Sequence, residues 1–157
     1  MKSTRLKIPV LGISTLLLSA ALFSSCKKST STPFSNKNAK VTVSVSSAFN
    51  KAEGDHFTLS IGGATLDGTS VDWTIDGATE RGTIVSVTSD YVNGGKSNVV
   101  VASAQKFNTG SVSISSFNID GAPFTVTYKV EVDGKVVDEK SVEIADGSDP
   151  LTKNYTL

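Results

Sequence analysis

Catalysis in proteins most often relies on histidine or cysteine side chains, and this chain of 157 residues has one of each. Cys26 ends the stretch LFSSC, and His56 follows Asp55 where a strand is expected to begin. A Ser-His-Asp hydrolase would have to use His56, yet no GxSxG turn is present to expose a serine nucleophile. We therefore predict that the chain has no catalytic residue and that His56 is a solvated loop or strand-edge residue. A hydrolase is a remote alternative.

Oxygen ligands for a metal ion are also few. The segment DGSDP brings Asp146, Ser148 and Asp149 close together, and hard oxygen ligands of this kind suit Ca²⁺. The segment lacks the calcium-loop pattern with its distal glutamate, and Asp-Gly is a frequent turn sequence in any case. Asp146 and Asp149 are therefore weak calcium candidates. Zinc has no set of ligands, and we expect no cofactor.

The first 25 residues have the organisation of a secretory signal peptide. The opening MKSTRLK carries Lys2, Arg5 and Lys7 and no acidic residue, and residues 8–23 follow without a charge. A membrane-spanning helix needs roughly 20 apolar residues, whereas this uncharged run is shorter and contains proline, glycine and hydroxyl side chains. A basic start, a short apolar run and then small residues indicate a signal peptide rather than a permanent span.

Two cleavage sites compete at the end of this signal peptide. Residues 19–21 (SAA) suit ordinary signal peptidase, which would release a soluble protein with a free thiol. Alternatively, LFSSC resembles the lipobox of bacterial lipoproteins, in which the cysteine receives a diacylglycerol and the chain is cut just before it. Ser24 and Ser25 are the small residues that this motif requires, while Phe23 stands where leucine is usual. The resemblance implies that Cys26 is lipidated, and a lone cysteine cannot form an internal disulfide.

The segment after the cleavage site reads as a tether. Residues 26–39 contain almost no apolar side chain after the cysteine, which is typical of a flexible linker. The SSCKK ending with this tether resembles lipoproteins of the Bacteroidota. In that group an acidic run after the cysteine accompanies export to the cell surface, and here no acidic residue precedes Glu53. The resemblance implies a lipid anchor in the outer membrane and favours the periplasmic face over the cell surface.

The charge balance argues against one class of partner. The full chain has 15 basic and 15 acidic residues. Removal of residues 1–25 takes away three bases and no acids, which leaves 12 against 15 and a net charge of −3. Nucleic-acid binding requires a clustered basic face, so we do not expect it. The expected contacts are the membrane, through the anchor, and an envelope protein or glycan.

Residues 40–157 are predicted to form a single all-β domain. Apolar and polar residues alternate in short runs, which is the pattern of half-buried antiparallel strands. The alternation occurs at 41–45, 57–61, 71–75, 112–119 and 124–132, and further strands are expected at 83–88, 98–103, 136–144 and 152–156. Eight or nine short strands separated by turn signals indicate an antiparallel two-sheet sandwich.

Two local signals refine this prediction. Asp133-Gly134 between two alternating runs predicts a hairpin whose turn residues have positive φ angles. In GSVSISSFNIDG the apolar positions change parity after Ile114, so we expect a β-bulge near Ser115 and Ser116.

The sequences VDWTIDG and TVTYKVEVDGKVV resemble the immunoglobulin-like and fibronectin type III-like modules of bacterial envelope proteins. In such modules a tryptophan on a central strand packs between the sheets, and Trp73 fits that position. The resemblance implies an immunoglobulin-like sandwich without the disulfide of antibody domains.

Glycan binding would need exposed aromatic side chains. Trp73 and Tyr128 stand on the apolar face of alternating runs and are therefore expected in the core. Tyr91 and Phe107 lie near loops and are weak ligand-binding candidates. We therefore expect a non-enzymatic, lipid-anchored interaction or accessory module. The alternative is a carbohydrate-binding accessory lipoprotein of a glycan-uptake system, which an exposed aromatic pair would favour.

Overall fold

The computed structural model describes residues 36–157, which form two antiparallel β-sheets. The strands are β1 (Ala39–Val45), β2 (His56–Ala64), β3 (Trp73–Ile75), β4 (Ala78–Glu80), β5 (Ile84–Thr88), β6 (Lys96–Ser103), β7 (Thr109–Phe117), β8 (Phe124–Val132), β9 (Lys135–Ile144) and β10 (Leu151–Thr156). A 3-10 helix (Lys51–Glu53) precedes β2, and one helical turn, α1 (Ser89–Val92), follows β5. The predicted all-β sandwich is confirmed. β4 is an additional strand, too short to show an alternation in the sequence.

At each side of the sandwich, the edge strand of one sheet is followed in the chain by the edge strand of the other sheet. The six-stranded sheet has the order β4-β3-β6-β1-β8-β9, and the four-stranded sheet has the order β10-β7-β2-β5. β4 and β5 are therefore edge strands of different sheets joined by residues 81–83, and β9 and β10 are the other two edges, joined by residues 145–150. Each short connection carries the chain from one sheet to the other.

The core follows the alternation of the strands. Val41, Val43 and Val45 are buried on one face of β1, and the polar residues between them are less buried. Trp73 on β3 and Tyr128 on β8 are fully buried, which confirms both core predictions. Burial of each large apolar side chain contributes about 1.5–3 kcal/mol, so the aligned inner faces stabilise the sandwich without a disulfide.

Tight hairpin turns use Asp-Gly pairs in the left-handed region. At the β8–β9 turn, Asp133 has a φ of 50° and Gly134 a φ of 73°, as the hairpin prediction requires. At the β3–β4 turn, Asp76 and Gly77 have φ angles of 49° and 86°. The second turn leaves the carboxylate of Asp76 close to other residues, as described below.

The predicted bulge in β7 is wrong. β7 pairs with β10 and β2 in continuous register, so no extra residue interrupts it near Ser115. Ser116 instead takes the inward position, where its hydroxyl donates a 2.8 Å hydrogen bond to the backbone oxygen of His56. Phe117 faces outward and stacks on the His56 ring at 4.6 Å, and Ile119 is exposed beyond the strand. The strand can therefore keep its regular alternation, because the inward Ser116 is hydrogen-bonded and the outward Phe117 is covered by the His56 ring.

Within residues 36–157, no helix is both long and apolar enough to cross a bilayer. Cys26 and the predicted signal peptide lie outside the described residues and remain predictions.

Candidate functional site

A groove of about 380 Å³ lies between the edge strands β4 and β5. Its lining includes Ile75, Ala78, Glu80, Arg81, Ile84 and Tyr91, and we call it the edge groove. β4 and β5 each end their sheet, so among the described residues one side of each backbone pairs with no other strand. The edge groove therefore combines side-chain surface with free strand edges.

Tyr91 is held in place on one side of the edge groove. Its hydroxyl donates a 2.8 Å hydrogen bond to Asp76 Oδ2, and Asp76 Oδ1 accepts a 2.7 Å hydrogen bond from the backbone N–H of Val100. The Lys96 ammonium lies 3.7 Å from the centre of the Tyr91 ring, in a cation–π contact. Tyr91 is 37% exposed, so it is a surface residue as predicted, with its orientation fixed by these partners.

The helical turn that carries Tyr91 is fixed to β2 by a buried serine. The β2–β5 ladder ends at the pair Thr58 and Thr88, after which the chain turns into α1. Ser89 Oγ accepts a 2.9 Å hydrogen bond from the N–H of Phe57 and donates to the Phe57 oxygen at 3.2 Å. The Ser89 hydroxyl thus pairs with the N–H and the C=O of Phe57, which would otherwise need a backbone partner from a longer β5.

Exposed apolar and charged side chains lie side by side in the edge groove. Ile84 is 66% exposed on β5. Glu80 and Arg81 are exposed residues of opposite charge in the same lining, and Arg81 Nε is 4.0 Å from Asp72 Oδ2. This combination can bury apolar side chains of a ligand while its rim selects charge.

Phe107, the second ligand candidate from the sequence, is a core residue, and that prediction is corrected here. Phe107 has 0% exposure and packs against Trp73 with ring centroids 5.7 Å apart. Lys37 and Phe107 exchange backbone hydrogen bonds of 2.8 and 2.9 Å, which fixes this irregular segment against the start of the domain. Because Phe107 precedes β7 in a segment without alternation, its burial left no periodic signal.

The surroundings of His56 do not form a proton relay. His56 Nε2 is 3.1 Å from Thr58 Oγ1, and the ring stacks on Phe117. The neighbouring carboxylate of Asp55 accepts a hydrogen bond from the backbone N–H of Asn50 instead. His56 is the half-buried first residue of β2, which is a central strand of its sheet and not an edge strand as predicted.

Asp146 and Asp149 are exposed in the turn between β9 and β10. Ser148 between them uses its hydroxyl within the turn, donating to the Ala145 oxygen at 2.7 Å. Over residues 36–157, no three His, Cys, Asp or Glu side chains come together as a metal-binding group.

The sequence had signals for parts of the edge groove but not for the groove itself. The sequence predicts a strand at 83–88, which contains Ile84, and Asp76-Gly77 is a turn sequence. Neither signal shows that β4 and β5 end their sheets beside each other, because strand order depends on pairing between distant segments.

Comparison with known proteins identifies solved structures with a similar fold. No protein-family model matches this chain, and no curated protein does. A DUF4425 family protein from Bacteroides ovatus matches with a TM-score of 0.54 at 13% identity, over 78% of this chain and 95% of its own. A domain of unknown function, DUF4425, from Bacteroides vulgatus matches with a TM-score of 0.51 at 20% identity, over 78% of this chain and 94% of its own.

A third similar structure is the calcium-bound form of a protein from Parabacteroides distasonis. It matches with a TM-score of 0.56 at 17% identity, over 76% of this chain and 92% of its own. At these identities the likeness concerns the fold alone. This chain is therefore similar in fold to DUF4425 proteins of Bacteroides and to a protein of Parabacteroides.

Proposed function

We propose that the protein is a non-enzymatic, lipid-anchored module of the outer membrane, with an immunoglobulin-like sandwich, that binds an extended segment of an envelope protein in the edge groove. The observation that carries the proposal is the free edge of β5 beside exposed Ile84 and the fixed ring of Tyr91. The anchor rests on the lipobox resemblance at Cys26.

Strand addition explains why a backbone edge and an apolar groove occur together. An extended peptide that pairs with a free edge gains main-chain hydrogen bonds, and pockets for alternate side chains provide specificity. β5 has one paired side, against β2, and its other side is available among the described residues. Every second side chain of the added segment would then point towards Ile84 and Tyr91.

The charges of the edge groove select the segment further. Glu80 and Arg81 lie in the lining, and Lys96 lies over the Tyr91 ring. Charged groups at the rim of an interface control partner choice and association rate more than affinity. We propose a partner segment that is apolar at alternate positions and carries flanking charges of both signs.

Site-specific photo-crosslinking tests this function in native cells. A photoreactive amino acid at Ile84 is expected to give a discrete protein adduct, and the adduct is expected to be lost when Tyr91→Ala is added. The matched control is Val137, an exposed apolar residue on β9, the edge strand at the other end of the same sheet as β4. Equal adducts at both positions, or none at Ile84, would contradict the proposal.

A synthetic peptide with the crosslinked sequence then tests the binding mode. It is expected to shift the NMR signals of β5 amides and to slow their hydrogen exchange, because strand addition pairs them. Binding that leaves the β5 amides unprotected would exclude strand addition.

A carbohydrate ligand is the second candidate, favoured by the exposed ring of Tyr91. The aromatic pair expected of a glycan platform is not formed, because Phe107 is buried and Lys96 lies against the ring of Tyr91. Envelope oligosaccharides that shift the NMR signals of Ile84 and Val85 in the wild type, and fail to shift them in Tyr91→Ala, would favour this candidate over a polypeptide.

A further inference from the structure

We propose that the domain docks on a phospholipid surface with the end of the sandwich at which the chain enters it. This entry end consists of residues 36–38 and the connections 65–72, 81–83, 104–108 and 133–134. The inference rests on the proposed lipid anchor at Cys26 and is independent of the edge groove. The partner is a bilayer whose headgroups combine phosphate with ammonium groups.

The position of the anchor brings the entry end close to the membrane. Asn36, the first described residue, follows ten positions after Cys26. Ten residues span at most about 35 Å, whereas β2 alone, with nine residues, is about 30 Å long. The other end of the sandwich could touch the bilayer only if these ten residues ran back along the whole domain at almost full length. The entry end needs no such extension.

The segments of the entry end form one surface. The backbone hydrogen bonds between Lys37 and Phe107 join the entering chain to the connection 104–108. Asp133 Oδ1 accepts a 2.9 Å hydrogen bond from the N–H of Asn38, which joins it to the β8–β9 turn as well. An open groove of about 620 Å³ lies on this surface, lined by Asn36, Thr65, Leu66, Asp67, Lys106 and Asn108, among others.

Leu66 is an exposed apolar residue on a fixed turn of this groove. It is 66% exposed. Thr65 accepts a 3.0 Å hydrogen bond from the N–H of Gly68 and donates one of 2.9 Å to the oxygen of Thr69, so the turn is closed on both sides. A leucine held in this way can enter lipid without a further loss of backbone freedom. One leucine binds a bilayer weakly, but the anchor makes the contact intramolecular and so strengthens its effect.

Two opposite charges lie beside Leu66 in the same groove. The ammonium of Lys106 suits a lipid phosphate, and the carboxylate of Asp67 suits an ammonium headgroup. Hydrogen bonds from Thr65 and Thr69 lower the pKa of Asp67, so its carboxylate stays ionised at neutral pH. The groove therefore offers a partner to each charged part of a zwitterionic headgroup.

The charges of the two ends favour the same orientation. The entry end carries three basic and three acidic side chains: Lys37, Arg81, Lys106, Asp67, Asp72 and Asp133. The opposite end, which consists of residues 46–55, 89–95, 118–123 and 145–150, carries one basic and six acidic side chains: Lys51, Glu53, Asp55, Asp90, Asp120, Asp146 and Asp149. Anionic lipids give a membrane a negative surface potential, which repels the opposite end and leaves the balanced entry end free to approach.

NMR of the acylated full-length protein in lipid nanodiscs tests the docking. The discs contain phosphatidylethanolamine with a minor share of phosphatidylglycerol, and the leucine and isoleucine methyl groups are labelled. Nuclear Overhauser cross-peaks with lipid acyl protons are expected for Leu66 and not for Ile119, which is 52% exposed at the opposite end. A spin-labelled headgroup is expected to weaken the amide signals of residues 104–108. Leu66→Ser is expected to restore much of their intensity, and the matched control Ile119→Ser is expected to leave them weak.

Retention of the protein by the discs is measured first, because it separates two failures. A wild-type protein that the discs do not retain refutes the anchor, and this inference with it. A retained protein whose Leu66 shows no cross-peak with lipid, or whose Ile119 shows equal ones, overturns the docking alone. The docking is also overturned if the signals of residues 104–108 stay as weak in Leu66→Ser as in the wild type. The cross-peaks come from the wild type, so they decide the matter even if Leu66→Ser does not fold.

Discussion

The hydroxyl of Tyr155 donates a 2.9 Å hydrogen bond to Asp138 Oδ2, and this contact joins the two sheets at their β9 and β10 edges. Tyr128 OH approaches the same oxygen at 3.4 Å from the neighbouring strand. Burial is the main reason why the pKa of Tyr155 is raised, and the Tyr155 hydroxyl is the main reason why the pKa of Asp138 is lowered. The Asp138 carboxylate thus links β9 to β10 at the edges of the two sheets that lie away from the edge groove.

Tyr155→Phe removes this link while preserving the aromatic ring. We expect the free energy of unfolding to fall by about 1 kcal/mol, the net contribution of a partly exposed hydrogen bond. Urea denaturation at neutral pH measures the change, with Asp146→Asn as an exposed control that is expected to have no effect. A Tyr155→Phe variant as stable as the wild type would show that the contact does not join the sheets.

The same contact predicts a stability that depends on pH at both ends of the range. The pKa of Asp138 is lowered in the fold, so its contribution is present above the ordinary value of 3.8 and is lost as the pH falls below it. The pKa of Tyr155 is raised, so its contribution is present below the ordinary value of 10.0 and decreases above it.

Denaturation curves of the wild type and Tyr155→Phe between pH 2 and pH 11 test this prediction. The stability difference between the two proteins is expected to be largest between about pH 5 and pH 9 and to shrink on either side. A difference that stays constant across the range would contradict the assignment.

Alanine substitutions separate the core aromatic from the surface aromatic. Phe107→Ala is expected to lower the free energy of unfolding by about 3–5 kcal/mol, because it leaves a cavity beside Trp73. Tyr91→Ala is expected to cost less than about 1 kcal/mol, as is usual for an exposed position. The two values come from denaturant unfolding under one condition, and equal losses would mean that Phe107 is not the buried anchor described above.

Cys26→Ala tests the anchor. We expect the native protein to carry the mass of an acylated amino-terminal cysteine and to partition into membranes, because several acyl chains hold a protein there almost permanently. The variant is expected to lose both properties, as measured by intact mass and by detergent-phase partition. A soluble wild-type protein that begins at Leu22 would show ordinary cleavage and a free thiol instead.

Local patterns were sufficient for much of the fold. A strand has two faces, so alternation of apolar residues predicted which side chains of β1, of β3 and of β8 up to Val130 are buried, Trp73 and Tyr128 among them. The alternation fails after Val130, where the register with β9 shifts and Glu131 is buried instead of Val132. Turn chemistry is equally local, and the positive φ angles at Asp133 and Gly134 followed from their residue types. The same reasoning failed at Phe117, whose outward position depends on a ring that β2 provides from about 60 residues away.

Composition and the order of residues determined that this chain folds as an all-β sandwich, because periodicity and turn propensity are properties of neighbouring residues. Only the tertiary structure decided that Phe107 is buried, that Ile84 and Tyr91 share a groove, and that the Tyr155 hydroxyl reaches Asp138. Each of these depends on which strands lie at the edges and which loops meet. Those outcomes are set by the packing of segments far apart in the chain, and no local pattern encodes them.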